Sequence, residues 1–297
     1  MNVQKSFGNA SSTTPEQGVL YIVGTPIGNL EDMTYRAVRT LKEVDMIAAE
    51  DTRQTRKLLT HFEIGTRLVS YHEHNKRQSG SELIRLLKTG QQIALVSDAG
   101  MPAISDPGAD LVSEAIGQGI SVVAIPGANA ALTALVVSGL STDKFTFAGF
   151  PPRDKGTQNE WLDQLQMQDG TLLFYESPHR VVKTLTAMLE VWGNRKAVMA
   201  RELTKRHEEI FRGTIEECLQ WLAEHPPLGE YCLAVEGAAA GAERSGESLW
   251  WSKMDLESHV AHYEDMLGDR KSAMKRAAQD RGISKRDVYH AIMKKSE

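Results

Sequence analysis

Short apolar runs separated by loops rich in glycine and proline mark the first half of the chain. Each run is four or five residues long, the length of a buried strand, and the segments between them carry apolar residues at helical spacing. This repetition of strand, loop and helix predicts a parallel sheet with crossover helices. The predicted strands are residues 19–23, 46–49, 68–71, 93–96 and 122–125.

The order of elements changes after Gly139, and the second half predicts a mixed sheet. Its strands are placed at residues 145–148, 172–175, 197–203, 209–212 and 231–235. The predicted fold class is therefore α/β with two lobes and a small helical C-terminal extension. The expected boundaries are a disordered lead at 1–18, an N-terminal lobe at 19–135, a C-terminal lobe at 136–237, a linker at 238–249 and the extension at 250–297.

Three polar residues are placed at predicted helix starts. Asp32 precedes a stretch whose apolar positions share one face, and Ser81 precedes a helix that Gly90 ends. Asp106 lies where the helix after strand 93–96 is expected to begin. Each is a residue type that accepts hydrogen bonds from the first turn of a helix.

Composition places the chain among soluble globular proteins of about two domains. It has 297 residues, of which 41% are hydrophobic and 25% charged, and a net charge of −5 that does not suggest a general nucleic-acid binder. Cys218 and Cys232 make no CxxC motif, which fits a reducing, cytoplasmic location. The first 18 residues lack the apolar core of a signal peptide, and no run reaches the ~20 apolar residues of a membrane span, so we expect no membrane partner.

The stretch IALVSDAGMPAISDPG, residues 93–108, is the strongest candidate for a functional loop. Asp98 follows the apolar run directly, and small residues around it let a ligand approach the backbone. Ligands of open parallel sheets bind at the carboxyl ends of the strands. The first loop, 24–29, lies at an equivalent strand end, although it is neither a Walker loop nor a GxGxxG motif.

Two further strand ends are polar. Residues 50–53, Glu-Asp-Thr-Arg, predict either a salt-bridge network with a helix cap or an edge that faces a substrate. Residues 72–76 bring two histidines, an acid, an asparagine and a lysine into one loop. Their spacing is weak for zinc, so we predict no metal and favour a surface that hydrogen-bonds a substrate.

The C-terminal segment is locally basic in an acidic protein. From Arg270 to the end there are nine Lys or Arg residues against three Asp or Glu residues. Apolar positions on either side of residues 282–284 predict a helix, a tight turn and a helix, as in a helix-turn-helix unit that contacts phosphates. A helix pair used for packing or dimerisation is the alternative.

Seven ordered motifs give the chain a resemblance to a known family. They are VGTPIGNLEDMT (23–34), AAEDTR (48–53), SYHEHN (70–75), LVSDAGMPAISDPG (95–108), PGANAALTAL (126–135), LLFYESPHR (172–180) and ARELTK (200–205). In order and spacing they resemble the ribosomal RNA small-subunit methyltransferase I family, which is similar in fold to tetrapyrrole methylases and diphthine synthase. The resemblance covers about residues 19–237, and the basic tail is similar to the extension of that family.

The resemblance implies an S-adenosylmethionine-dependent enzyme that methylates the 2′-oxygen of a cytidine in the decoding region of 16S rRNA. The implied partners are 16S rRNA, the 30S subunit and a second copy of the chain in a homodimer. The cofactor is expected in the cleft between the lobes. Carried over motif by motif, the cofactor-binding residues are Pro26, Ile27, Asp98, Ala99, Met101, Asn129, Ala130, Tyr175, Glu202, Tyr231 and Cys232.

A ribose hydroxyl is a poor nucleophile while protonated, so an in-line transfer needs positioning and removal of a proton. The candidates for this catalytic role are Glu50, Asp51, His74 and Glu202, which the sequence does not rank. The candidates for RNA binding are Arg53, His72, Asn75, Arg180, Arg201, Arg270, Lys271, Lys275, Arg276, Lys285 and Arg286. The rival predictions are a tetrapyrrole or diphthine-type methylase of the same fold and a non-catalytic RNA-binding assembly factor.

Overall fold

The computed structural model describes residue 4, residues 17–238, residue 251 and residues 254–293. The chain divides at Ala238 into two compact units. The predicted lead at 1–18 and the predicted linker at 238–249 lie almost entirely outside the described residues.

The first sheet has five parallel strands in the order β3-β2-β4-β1-β5. The strands are β1 (Val19–Val23), β2 (Met46–Ala49), β3 (Arg67–Ser70), β4 (Ile93–Val96) and β5 (Ser121–Ile125). The helices that alternate with them are α1 (Tyr35–Glu43), α2 (Thr52–His61), α3 (Lys76–Lys88), α4 (Ala109–Gly117) and α5 (Ala130–Ser138).

Apolar clusters on both faces of this sheet explain its continuous apolar strands. Every residue of β2 and β4 is buried, because α3 and α4 cover one face and α1 and α2 cover the other. A parallel strand covered on both faces is an apolar run without alternation, which is why these strands match their predicted bounds.

The second sheet is mixed, with the order β6-β7-β10-β8-β9, and only the pair β6 and β7 is parallel. Its strands are β6 (Phe145–Gly149), β7 (Thr171–Glu176), β8 (Lys196–Arg201), β9 (Glu209–Thr214) and β10 (Tyr231–Val235). Its helices are α6 (Lys155–Leu165), α7 (Val181–Trp192) and α8 (Ile215–Glu224). The predicted α/β fold with a parallel and a mixed sheet is confirmed.

Helix α5 joins the two sheets. It follows β5 of the first sheet, yet Ala131, Ala134 and Leu135 pack on the second, against residues that include Leu173 and Val198. Both sheets therefore contribute their strand ends to one region of the molecule.

Two predicted helix starts are wrong. Asp32 ends a short 3₁₀ turn (Leu30–Asp32), and Thr34 caps α1 instead, its hydroxyl accepting a hydrogen bond from the N–H of Ala37 at 3.1 Å. Ser81 lies inside α3, which begins at Lys76, and its hydroxyl donates to the carbonyl of Arg77 at 3.0 Å. Both predictions took the first polar residue before an apolar pattern as a cap, whereas the helix starts elsewhere.

The predicted cap role of Asp106 is also wrong. Helix α4 starts at Ala109 after Gly108, which has a φ of +139°. A Cβ at Gly108 would lie 2.8 Å from Cδ2 of Leu95, so this turn needs glycine for both its conformation and its close packing. Because Asp106 does not cap α4, its carboxyl group is available for other contacts.

Among the described residues of the second unit there are three helices, α9 (Leu256–Leu267), α10 (Arg270–Arg281) and α11 (Lys285–Met293). The predicted helix, turn and helix correspond to α10 and α11, with Gly282 between them at a φ of +63°. Helix α9 is additional. The core residues of this unit are Val260, Ala273, Ala277, Ala278, Val288 and Ile292.

Membrane insertion finds no support in the described helices, since none of them is long and apolar enough to cross a bilayer.

Candidate active site

A cavity of about 500 Å³ lies between the strand ends of the two sheets. Its walls come from the loops after β1, β4 and β5 on one side and from the loops around β6, β7, β8 and β10 on the other. The lining residues are Ile27, Asp98, Ala99, Gly100, Met101, Ile104, Ser105, Asp106, Asn129, Ala130, Phe150, Tyr175, Glu176, Ser177, Pro178, Ala200, Glu202, Leu203, Lys205, Glu230, Tyr231 and Cys232.

Backbone-to-backbone contacts hold the first-lobe loops together. Thr25 and Gly100 exchange two hydrogen bonds, of 2.9 and 3.1 Å, between their N–H and carbonyl groups. Gly24 and Gly127 approach so closely that a Cβ at Gly24 would lie 2.8 Å from Cα of Gly127 and 2.7 Å from Sδ of Met101. No side chain fits at this crossing, so the loops after β1 and β5 are fixed against each other.

Asp98 links two strand ends at the edge of the cavity. Its Oδ1 accepts a hydrogen bond of 2.9 Å from the N–H of Asp51, which follows β2. The side chain of Asp98 is exposed and lines the cavity, so its negative charge faces any bound ligand.

Asp51 and Arg53 form the salt-bridge network that was one of the two predictions for residues 50–53. The carboxylate of Asp51 accepts from the backbone N–H of Arg53 at 2.8 Å, capping α2, and from the guanidinium Nη2 at 2.7 Å. Hydrogen bonds from the Arg53 side chain and backbone lower the pKa of Asp51 to about 2. Asp51 lies outside the cavity lining and is paired with Arg53, and its catalytic role stays a prediction.

Two half-buried acids near Asp98, Glu50 and Asp106, have raised pKa values, whereas the pKa of Asp51 is lowered. The pKa of Glu50 is raised by burial and then by the charges of Asp106 and Asp98. The pKa of Asp106 is also raised by burial, with a further contribution from Asp98, against a hydrogen bond from the Ser97 hydroxyl that lowers it. Asp106 lines the cavity, whereas Glu50 is not among the lining residues. Asp106 is thus an acid of the cavity lining with a raised pKa.

Glu202 is held by its own surroundings. Its Oε1 accepts from the N–H of Glu230 at 3.0 Å and from Nζ of Lys205 at 2.9 Å, and Lys205 also contacts Oε2 of Glu230 at 2.8 Å. These contacts, the backbone N–H first, lower the pKa of Glu202. Glu202 lines the cavity and its carboxylate is already paired, and both its predicted cofactor-binding role and its predicted catalytic role stay predictions.

An apolar and aromatic wall completes the second-lobe side. The hydroxyl of Tyr175 accepts a hydrogen bond from the N–H of Ala131 at 3.3 Å, and burial raises the pKa of Tyr175 to about 12. Its ring has edge contacts with Phe147 and Phe150, at centroid distances of 4.9 and 5.5 Å. Burial also raises the pKa of Cys232 to about 12, so its thiol stays protonated.

All but one of the predicted cofactor-binding residues line this cavity; the exception is Pro26, which precedes the lining residue Ile27. The loop that carries His72, His74 and Asn75 does not line it. There Asn75 accepts from the N–H of His72 at 2.8 Å and donates to the carbonyl of Ser70 at 3.2 Å, so it orders its own loop. His74 is exposed outside the cavity, which gives no support to its predicted catalytic role.

Two arginines predicted to bind RNA make intramolecular contacts. Nη2 of Arg180 donates to the carbonyls of Pro151 and Pro152, and Arg201 lies 3.7 Å from the carboxylate of Glu209. On α10 and α11 the predicted side chains are accessible. Arg270, Lys271, Lys275, Arg276 and Arg286 are exposed, and Lys285 is half-buried.

The sequence prediction missed Asp106, Phe150 and Lys205 as cavity residues. Asp106 was read as a helix cap, although it lies in the same strand-end loop as Asp98. Phe150 directly follows β6, so the strand-end rule that selected Asp98 also applies to it. Lys205 ends the motif ARELTK, but its place at the cavity depends on the contacts of Glu202 and Glu230, which the motif does not show.

Comparison with known proteins gives the class. The sequence matches the family Tetrapyrrole (Corrin/Porphyrin) Methylases over residues 19–219. Among solved structures, diphthine synthase matches with a TM-score of 0.58 and 15% identity, covering 74% of this chain and 90% of that one. Uroporphyrin-III-C-methyltransferase from Thermus thermophilus matches with a TM-score of 0.54 and 20% identity, covering 74% and 94%. The chain is thus a methyltransferase of the tetrapyrrole methylase type, a class that uses S-adenosylmethionine, and its fold is the fold of that class.

Sequence relatives define the family within this class. The ribosomal RNA small subunit methyltransferase I of Halalkalibacterium halodurans is 55% identical over 93% of this chain and 94% of the relative. That of Bacillus subtilis is 51% identical over 97% of both, and that of Synechocystis sp. is 43% identical over 92% and 96%. The chain belongs to the ribosomal RNA small subunit methyltransferase I family.

Proposed function

We propose that this protein transfers a methyl group from S-adenosylmethionine to the 2′-oxygen of a cytidine in the decoding region of 16S rRNA, within the 30S subunit. The observation that carries the proposal is the likeness to relatives named for methylation of small-subunit ribosomal RNA, over more than nine-tenths of this chain. The cavity at the strand ends supplies a site in which such a reaction can occur.

The cavity fits the cofactor chemically. S-adenosylmethionine carries two positive groups and an aromatic base, and it supplies an electrophilic methyl group when bound. Asp98 presents a carboxylate to a cation, and Asn129 presents an amide at the start of α5. Ile27, Met101 and Tyr175 form the apolar surface against which an aromatic base packs.

The proton of the ribose hydroxyl needs an acceptor, and Asp106 is the residue that we assign to it. It lies in the cavity wall, half-buried, with a raised pKa that brings its basicity closer to neutral pH. Glu50 also has a raised pKa, which is caused first by burial and then by the charges of Asp106 and Asp98. Asp51 and Glu202 are both fastened to cations and carry lowered pKa values, so they are weaker bases.

The second unit is assigned to the RNA backbone. Exposed cations repeat along α10 and at the start of α11, where Lys271, Lys275 and Arg286 are examples. Lys and Arg side chains bind phosphates without reading sequence, which suits contacts to the rRNA that flanks the target.

A homodimer in the cytoplasm completes the proposal. Helix α5 is apolar around most of its circumference, and on the side away from the second sheet Leu132 and Val136 are 48% and 71% exposed. A helix that is apolar all round is normally buried, so a second copy of the chain is a suitable cover for this face. Substitution of Val136 by Glu should then shift the protein toward the monomer in sedimentation experiments.

The first test is methyl transfer from labelled S-adenosylmethionine to 30S subunits from cells that lack this protein, with naked 16S rRNA as the matched substrate. The expected result is one methylated 2′-oxygen, located by ribose-methylation mapping. No transfer to either substrate by protein that binds the cofactor would contradict the assignment. Transfer to a tetrapyrrole or a protein would favour the rival methylase, and no transfer to any acceptor would favour the assembly factor.

A further inference from the structure

Phe150 lies at the mouth of the cavity with its ring facing solvent. It is 57% exposed, although it is one of the largest apolar side chains in the lining. In the cavity wall its ring has a T-shaped contact with the ring of Tyr175, at an interplanar angle of 62°. Such a contact covers at most one face of a ring, so at least one face of the Phe150 ring is not covered by Tyr175 and can stack on another flat group.

The position of Phe150 is fixed by the residues that follow it. Nη2 of Arg180 donates to the carbonyls of Pro151 at 2.7 Å and Pro152 at 2.9 Å, and the same atom lies 3.5 Å from Glu176. Glu176 is only 2% exposed and is held by the N–H of Ser177 and the hydroxyl of Thr184. The buried carboxylate of Glu176 thus positions Arg180, and Arg180 in turn positions the loop that follows Phe150.

The opposite lip of the mouth belongs to the first lobe. Ile104 lines the cavity and is 40% exposed, between Ala103 and Ser105, which have φ values of +68° and +62°. Non-glycine residues adopt this conformation at a cost, and such residues cluster at ligand sites. The two lips are close, since a Cβ at Gly149 would lie 3.5 Å from Oγ of Ser105.

Two basic residues follow Phe150 closely in the sequence. Arg153 and Lys155 follow Phe150 in the same loop and at the start of α6, and both are exposed. Within the described part of the chain, neither forms an ion pair. The acid between them, Asp154, is occupied as the cap of α6 through the N–H and hydroxyl of Thr157.

We propose that Phe150 and Ile104 hold the base of the target nucleotide between them, while Arg153 and Lys155 contact its flanking phosphates. Enzymes that act on a base extrude it from its stack and hold it between aromatic and apolar side chains, and the bases of single-stranded RNA stack on aromatic rings beside basic groups whatever atom is modified. Arg180 is then a positioning residue that acts through Phe150. The inference rests on the proposed function, since it requires an RNA substrate.

The alternative group that could stack on the ring of Phe150 is the adenine of the cofactor. The two occupants are separated by measuring cofactor affinity and RNA kinetics on the same variants. Phe150→Ala should lower kcat/KM for unmethylated 30S subunits by about 10- to 100-fold. It should leave the Kd for S-adenosylmethionine, measured by titration calorimetry, within about twofold of the wild-type value. Phe150→Tyr keeps a ring face and should retain most of the activity.

Phe145→Ala is the matched control. Phe145 is at the other end of β6, is 42% exposed and does not line the cavity, so its removal should leave both quantities unchanged. A Kd for the cofactor that rises as much as kcat/KM falls would overturn the inference in favour of adenine. Unchanged kcat/KM in Phe150→Ala would overturn it while the proposed function stands. Absence of transfer by the wild-type protein would overturn both.

The role of Arg180 is tested by a double-mutant cycle. Arg180→Lys removes the forked contact to the two carbonyls and should lower kcat/KM for 30S subunits by about tenfold in the wild-type background. In the Phe150→Ala background the same change should have almost no effect, because the residue through which it acts is gone. Equal losses in the two backgrounds would show a general structural role and contradict the positioning role.

Discussion

The backbone N–H of Asp51 donates a hydrogen bond of 2.9 Å to Oδ1 of Asp98, fastening the loop after β2 to the loop after β4. The two residues are separated in sequence by α2, β3, α3 and β4, but β2 and β4 are neighbours in the sheet. The bond orients the Asp98 carboxylate at the edge of the cavity. Asp98 therefore has two separable properties, an acceptor oxygen and a charge.

Asp98→Asn separates them. Asparagine keeps the oxygen that accepts from Asp51 and loses the charge, so the fold should be retained while the Kd for S-adenosylmethionine rises by about tenfold. Asp98→Ala should show the same loss and, in addition, a decrease of about 1 kcal/mol in the free energy of unfolding, because the Asp51 N–H loses its partner. Calorimetric titration and thermal unfolding measure the two effects. Wild-type affinity in Asp98→Asn would remove the charge of Asp98 from cofactor binding.

Asp106→Asn should lower kcat by about 100-fold or more while leaving the Kd of the cofactor near the wild-type value, since the amide cannot accept the ribose proton. In the wild-type protein, kcat should fall as the pH falls through the pKa of Asp106, which burial and Asp98 raise above its usual range. The measurement is a pH profile of single-turnover methyl transfer. A residual rate in Asp106→Asn with the same pH dependence as the wild type would exclude Asp106 as the base.

The same substitution should stabilise the fold. A carboxyl whose pKa is raised on folding binds its proton more tightly in the native state, so its ionisation at neutral pH opposes folding. Removal of that charge beside Asp98 and Glu50 should raise the melting temperature at pH 7 by about 2–4 °C, and the difference should shrink as the pH falls and wild-type Asp106 becomes protonated. Differential scanning calorimetry across this pH range checks the sign. A lower melting temperature for Asp106→Asn at pH 7 would contradict it.

Glu202→Gln should change kcat by less than about threefold, whereas loss of a general base costs about 100-fold. The glutamine oxygen can still accept from the Glu230 N–H, which is the contact that most lowers the pKa of Glu202. That contact stabilises the fold above the usual pKa of a glutamate and is lost as the pH falls through the lowered pKa, so the variant should lose less stability on acidification.

Gly229→Ala tests the same surroundings of Glu202 by a steric change instead of a change of charge. Its Cβ would lie 2.5 Å from Cγ of Glu202 at a φ of +71°, so it should be less stable than Glu202→Gln.

Replacement of Lys271 and Lys275 by glutamine should weaken RNA binding most at low salt. The plot of log K against log salt concentration should become shallower by about 0.7 for each lost contact to a single strand. Both residues are exposed on α10, so the fold of the second unit should be unchanged. Lys88→Gln, an exposed substitution at the end of α3, serves as the control. An unchanged slope in the double variant would assign α10 to another role.

Strand positions followed from the sequence because burial of a parallel strand on both faces leaves a direct pattern. β2 and β4 match their predicted bounds for this reason. Helix starts did not follow, since a cap is a hydrogen bond and several polar residues compete for it. Ser81 and Asp106 have suitable side chains, yet the conformation of Gly108 and the earlier start of α3 decided the outcome.

The candidate site could likewise be predicted from the sequence only in part. Sheet topology brings strand ends together, so a strand-end rule and family motifs were enough to place Asp98, Asn129 and Tyr175 in one cavity. The local pair of Asp51 and Arg53 was one of two predictions, whereas contacts between different loops were beyond both approaches, because they depend on which loops meet. Arg180 was expected on RNA and instead holds two proline carbonyls, a contact that exists only once the loop after β6 lies over α7.

The crossing of Gly24 and Gly127 has a consequence for how this cavity meets its ligand. A Cβ at either residue would lie within 2.9 Å of the other backbone, so the two loops pack backbone against backbone, and the N–H of Gly24 donates to the carbonyl of Ile125 at 3.1 Å. This part of the cavity is assembled during folding, so little conformational entropy remains to be lost there when a ligand binds. Any substitution at either glycine would push the two loops apart, and it should lower ligand affinity as well as the stability of the fold.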